Sequence, residues 1–140
     1  MSITSDTSVE INASSDKVWQ AITNPAMVKE WFFGTTVESN WEAGSSIIFW
    51  GEWNGQPYED KGVIKKIETN KLLEYTHLSS RTGQADASEN YEIIQFVLSD
   101  DEGRTTLTIH EDNLPSTEAR DKSLGLWKMV LERLKKVVEG

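Results

Sequence analysis

Read for period alone, the chain divides into a strand, two short helices, a long run of strands and one long helix. Residues 3–11 alternate, with Ile3, Val9 and Ile11 on one side and Thr4, Ser8 and Glu10 on the other, which predicts a half-buried strand. Ser14, Ser15 and Asp16 then offer side-chain oxygens to a helix N-terminus, and Val18, Trp19, Ala21 and Ile22 follow at helical spacing. That helix stops at Asn24-Pro25, because the residue before a proline is pushed out of the helical region. A second short helix fits residues 26–31 and ends near Phe33-Gly34, where glycine takes the left-handed cap conformation.

From residue 35 to 113 the texture changes to strands divided by turn signals: Glu42-Ala43-Gly44, Asn54-Gly55, Glu68-Thr69-Asn70 and Asp100-Asp101-Glu102-Gly103. Between them lie residues 35–39, 45–53, 58–67, 72–79, 91–99 and 105–111, predicting six strands in meander order. Residues 80–90, rich in Ser, Gly, Asp and Ala, interrupt this rhythm and are expected to form a mobile loop. A helix over 116–139, roughly 36 Å long at its ordinary rise, closes the chain. Leu124, Trp127, Leu131, Leu134 and Val138 form its apolar stripe, widened by Val130 and Val137, while Lys128, Glu132, Lys135, Lys136 and Glu139 face water. Such a stripe must be covered, and an antiparallel sheet of seven strands is the only large surface available. Twisted sheets curve whereas a helix is straight, so space remains between them. The expectation is an α+β fold in which a curved seven-stranded antiparallel sheet wraps a long C-terminal helix around an apolar cavity.

Val18-Trp19-Gln20-Ala21-Ile22-Thr23-Asn24-Pro25, followed by Val28 and Trp31-Phe32, resembles the opening helix pair of the activator of heat shock protein 90 ATPase homologue family, within the SRPBCC (START-like) superfamily. Ala43-Gly44, Gly62-Val63-Ile64, Leu72-Leu73-Glu74-Tyr75, Thr105-Thr106-Leu107-Thr108-Ile109-His110, and Trp127 with Leu131 and Leu134 fall in similar order, so the resemblance spans essentially the whole chain. It implies the helix-grip fold shared with START-like and birch-pollen-allergen-like proteins. One departure is local: where the family often has glycine before the helix tryptophan, this chain has Leu126, with Gly125 one position earlier.

Composition narrows the partners. The 140 residues match one domain, 1–140, and contain no apolar run long enough to span a membrane, nor a basic-then-apolar opening segment. A cytoplasmic location is expected. Fourteen Lys and Arg against 23 Asp and Glu give a net charge of −9, which repels nucleic acid and anionic membranes. With no cysteine, disulfides, thiolate metal sites and cysteine nucleophiles are excluded. The six tryptophans are either plain core or the wall of a concavity.

The candidate ligand-binding residues come from concave strand faces and the inward side of the last helix: Ile47, Phe49, Tyr75, Ile94, Phe96, Leu107, Trp127 and Leu131. Simple packing of these side chains against one another is the competing reading. Toward its N-terminus the helix face becomes small or polar at Ser116, Ala119, Arg120 and Ser123, which suits a cavity mouth; Arg120 either forks onto a ligand carboxylate or pairs with an acidic neighbour. Trp31 and Phe32, with Phe33, either gate that mouth or plug the end of the sheet, and Trp41, Trp50 and Trp53 would mark a protein-binding patch if exposed together. His77 and His110 are the only histidines, and no pattern in the sequence brings a carboxylate beside either, so no metal site is expected. Glu52, Glu59, Asp60 or Glu74 would serve for acid–base chemistry if turned into the pocket. No motif names a cofactor or a catalytic residue.

The first expectation for function, carried by the resemblance, is binding of a small hydrophobic or amphipathic molecule, including lipids. A protein-interaction module ranks second: the family name implies stimulation of a chaperone ATPase. The eukaryotic co-chaperones that define the name carry a further N-terminal domain, for which 140 residues leave no room, and a basic docking surface is missing at −9. A cavity enzyme of cyclase or hydrolase type is the third class.

Overall fold

In the computed structural model, which describes residues 3–53, 55–79 and 85–140, the elements follow one another in the order the pattern predicts. Strand β1 (Ser5–Ile11) leads into helices α1 (Ser15–Thr23) and α2 (Pro25–Trp31). Strands β2 (Thr36–Ser39), β3 (Ser46–Trp53), β4 (Gln56–Glu68) and β5 (Leu72–His77) precede a single 3-10 turn at Ser88–Asn90. Strands β6 (Glu92–Asp101) and β7 (Arg104–Asp112) then lead into helix α3 (Thr117–Glu139). The seven strands form one curved antiparallel sheet in the order β1-β7-β6-β5-β4-β3-β2, so the chain's first strand joins the edge made by its last.

Local chemistry sets the boundaries. Asn24 ends one helix and starts the next: its N–H donates to the Gln20 carbonyl at 2.9 Å, and its Oδ1 accepts from the Ala26 N–H at 3.0 Å. Helix α2 begins at Pro25, one residue earlier than expected, because a proline at the first helical position loses no hydrogen bond. At the other end the left-handed turn starts at Phe33 (φ 51°) and continues through Gly34 (φ 80°), whose N–H donates to the Lys29 carbonyl at 2.9 Å. A bulky residue thus holds a conformation that costs free energy, where glycine alone was expected.

Gly62 solves a different problem. A Cβ built there lies 1.5 Å from the Thr76 carbonyl oxygen, so only glycine lets β4 and β5 approach beside the register shift between Ile64 and Lys66. Residues 80–84 of the expected mobile loop, and Asn54 of the expected Asn54-Gly55 turn, lie outside the described residues. The remainder of the 80–90 stretch is tied down at Asp86, which accepts from the Tyr91 hydroxyl at 2.6 Å and pairs with Lys61.

Alternation puts Ile47 and Phe49, Leu73 and Tyr75, Ile94 and Phe96, and Leu107 and Ile109 on the concave side. Trp127, Val130, Leu131 and Leu134 meet them from α3, with Val130 fully buried at the centre of the stripe rather than at its edge. The helix approaches β1, α2 and α1 most closely. Its C-terminal half is fastened there: Lys135 Nζ donates to the Glu10 carbonyl and Arg133 Nε to the Glu30 carbonyl, both at 2.6 Å, and Glu139 accepts from the Asn12 N–H at 2.8 Å. Among the described residues no helix is long and apolar enough to cross a membrane.

Candidate functional site

Five aromatic rings close a circuit across the interior. Phe32 stands 6.1 Å from Phe49, Phe49 5.6 Å from Tyr75, Tyr75 6.1 Å from Phe96, Phe96 5.7 Å from Trp127, and Trp127 6.0 Å from Phe32. On one side of this circuit the molecule is filled. Trp31 stacks on Phe32 at 5.2 Å and its indole N–H donates to the Ala21 carbonyl at 2.8 Å, leaving a residual space of about 10 Å³ among Trp31, Ile47, Leu73 and their neighbours. On the other side a cavity of about 330 Å³ opens between the sheet and α3, and its exposed lining residues, Lys122 and Leu126, mark the opening.

The sheet face beyond the circuit turns polar. Continuing the inward parity of each strand by one more side chain brings Asp60 on β4, His77 on β5, Glu92 on β6 and Glu111 on β7 to the same end of the cavity. His77 Nε2 lies 3.3 Å from Asp60 Oδ2, and its Nδ1 is buried without a hydrogen-bond partner among the described residues. Glu111 is 2 % exposed, and its Oε1 accepts from Ser5 Oγ at 3.0 Å and Ser123 Oγ at 2.5 Å. Burial pushes the Glu92 carboxyl up to about 7, with Glu111 beside it adding to the rise and His77 opposing it. Burial also pushes the Tyr75 hydroxyl well above its ordinary value, reinforced by Glu111, Glu92 and Asp60, so it stays protonated. The site therefore pairs an apolar, aromatic floor with a polar rim on which Glu92 gives up its proton near neutrality.

Six of the sequence candidates line this cavity: Phe32, Phe49, Tyr75, Ile94, Ser123 and Trp127. Trp31, Ile47, Phe96, Leu107 and Leu131 lie in the packed core instead. Arg120 is outside the lining and donates to Asp121 Oδ1 at 3.4 Å. The aromatic triplet divides, Trp31 plugging the closed end while Phe32 and Phe33 face the cavity. Ser116 caps α3 by accepting from the Ala119 N–H at 3.0 Å. Leu126, standing where glycine was expected, is 45 % exposed at the mouth and takes no part in helix packing.

Both histidines acquire a carboxylate partner the sequence did not announce, His110 through Asp6 at 2.6 Å. Of the acid–base candidates only Asp60 reaches the cavity, whereas Glu74 accepts from Gln95 and Glu52 and Glu59 are exposed. Trp41 packs on the core and Trp50 is exposed; the Trp53 side chain lies outside the described residues. Glu92 and Glu111 were missed. The signal was present, since each lies two residues beyond an inward apolar position, Ile94 and Ile109, but the inward run was followed only while it stayed apolar.

Solved structures carry the same architecture. A solution structure of a Cytophaga hutchinsonii protein is 38% identical, covers 98% of this chain and 94% of its own, and superposes with a TM-score of 0.83. The Aha1 dimer from Colwellia psychrerythraea is 22% identical with 98% and 96% coverage and a TM-score of 0.77. CalU16 from Micromonospora echinospora is 19% identical, with 98% of this chain and 74% of that one covered at a TM-score of 0.76. No protein of curated function matches the sequence. The family described as Activator of Hsp90 ATPase homolog 1-like protein matches residues 12–139. The sheet-and-helix architecture and that match agree, and the chain belongs to the Activator of Hsp90 ATPase homolog 1-like family, with the SRPBCC helix-grip fold.

Proposed function

We propose that this protein binds a small hydrophobic or amphipathic molecule in the cavity between the sheet and α3. The observation that carries this reading is the cavity itself, about 330 Å³ set on an aromatic floor. That volume lies at the low end of ligand sites, roughly 300 to 1,000 Å³, and suits a molecule of one or two rings. Affinity comes from apolar surface removed from water against Phe32, Phe49, Ile94 and Trp127, at about 25 cal/mol per Å². Orientation comes from the polar rim.

A screen of one- and two-ring compounds, read by melting temperature and amide chemical shifts, tests the proposal. A bound ligand stabilises the native state by about 2.7 kcal/mol at a roughly hundredfold excess over Kd. Shifts gathered on Phe32, Phe49, Tyr75, Ser123 and Trp127 are the expected result. Shifts confined to the outer face of the sheet, or none from any compound, would overturn it.

A further inference from the structure

The polar end of the cavity has a sign. Asp60, Glu92 and Glu111 line it from β4, β6 and β7, with His77 of β5 standing against Asp60, and the one lysine or arginine in the lining among the described residues, Lys122, is exposed at the mouth. A second, independent feature points the same way. Tyr75 is 3 % exposed and lines the cavity, yet its hydroxyl has no hydrogen-bond partner among the described residues. The residue is buried but its hydroxyl is not cut off from solvent, so it opens on the cavity and is available to pair with a ligand group. The walls agree with the carboxylates: the faces of aromatic rings carry negative potential and attract cations.

Resting on the binding function proposed above, we infer that the molecule this cavity takes is a protonated amine. Its ring or chain lies on the floor formed by Phe32, Phe49 and Trp127, and its ammonium group lies between the Tyr75 hydroxyl and the carboxylates of Glu111, Glu92 and Asp60. A fatty acid or phosphate ester would instead place its anionic head among three carboxylates in a site of low dielectric, where repulsion is strong. A neutral hydroxyl head binds without that repulsion but lacks the gain of a charge-assisted hydrogen bond. Glu92 agrees with this assignment, because an arriving cation offsets the repulsion between its carboxylate and Glu111.

Three compounds with one ring system and different heads separate the cases: tryptamine, tryptophol and indole-3-propionate, titrated into the full chain by calorimetry at pH 8. Tryptamine is expected to bind roughly tenfold to a hundredfold tighter than tryptophol, the effect of one charge-assisted hydrogen bond, with indole-3-propionate weakest. Glu111→Gln should bring the amine-to-alcohol ratio toward one. Glu92→Gln, at a less buried position, should narrow the same ratio and keeps the test open should Glu111→Gln fail to fold. Equal or tighter binding of the alcohol or the acid, or an amine preference that survives both substitutions, would overturn the inference while leaving the cavity reading in place. Binding of none of the three would overturn both.

Discussion

Ser123, in the second turn of α3, donates a 2.5 Å hydrogen bond to Oε1 of Glu111 near the end of β7, an oxygen that also accepts from Ser5 on β1. One buried carboxylate oxygen thus joins the last helix to the first and last strands. Ser123→Ala should lower stability by about 1 to 3 kcal/mol, the range for a hydrogen bond to a charged group, measured by urea denaturation. Ser5→Ala alone should cost a similar amount. Removing both leaves the oxygen without either donor, so the double variant should lose more than the sum of the single losses. A Ser123→Ala effect under about 0.5 kcal/mol would mean that this bond does not hold the helix down.

Glu92 predicts a pH dependence with a definite sign. In the unfolded chain its carboxyl ionises near the ordinary 4.5, whereas in the folded chain it keeps its proton up to about 7. Between those values the folded state binds more protons than the unfolded state, so this residue's contribution to stability is fully present below about 4.5 and is lost as pH rises through 7. The loss should be roughly 2 to 3 kcal/mol once partial solvent screening is allowed for. Glu92→Gln should therefore gain on the wild type between pH 5 and pH 8. Parallel stability curves for the two proteins across that range would refute the raised carboxyl.

Trp127 is 5 % exposed, stacked on Phe32 and edge-on to Phe96, while Met129 two positions later is 58 % exposed. Trp127→Ala should cost about 3 to 5 kcal/mol and Met129→Ala less than about 0.5 kcal/mol. Denaturant midpoints for the pair check the orientation of the helix directly, since a rotation that exposed Trp127 would bring the two values together.

Two glycines should respond to alanine in opposite directions. At Gly62 the new methyl meets the Thr76 backbone, so Gly62→Ala must displace a strand, at a cost of at least about 1 to 3 kcal/mol. Gly125 lies within α3 with open space where its Cβ would be, so Gly125→Ala should stabilise by about 0.5 to 1 kcal/mol. Melting curves of opposite displacement are the expected outcome, and a neutral Gly62→Ala would contradict the close approach of β4 and β5.

The sheet and the helices were legible in the sequence because each has a period and a stop signal of its own. Ser14 and Asn24-Pro25 act where their side chains predict, and the stripe from Trp127 to Leu134 is buried as its spacing requires. The division between packed core and open cavity was not legible. Leu107 and Phe49 share an inward parity, yet Leu107 lies in the core and Phe49 on the cavity wall, since the outcome depends on where the helix lies above the sheet. Nor could the sequence join Asp60, His77, Glu92 and Glu111, which come from four strands and meet only through register.

The ring circuit also separates two kinds of selective constraint. Behind it, around Trp31, the interior keeps only about 10 Å³ of space, so a change of volume there is felt by the packing around it. In front of it, side chains such as Leu126, Lys122 and Ser79 border open space, and their exchange alters the outline of the cavity without disturbing that packing. A chain built this way can change the outline of its cavity while its folding stays fixed.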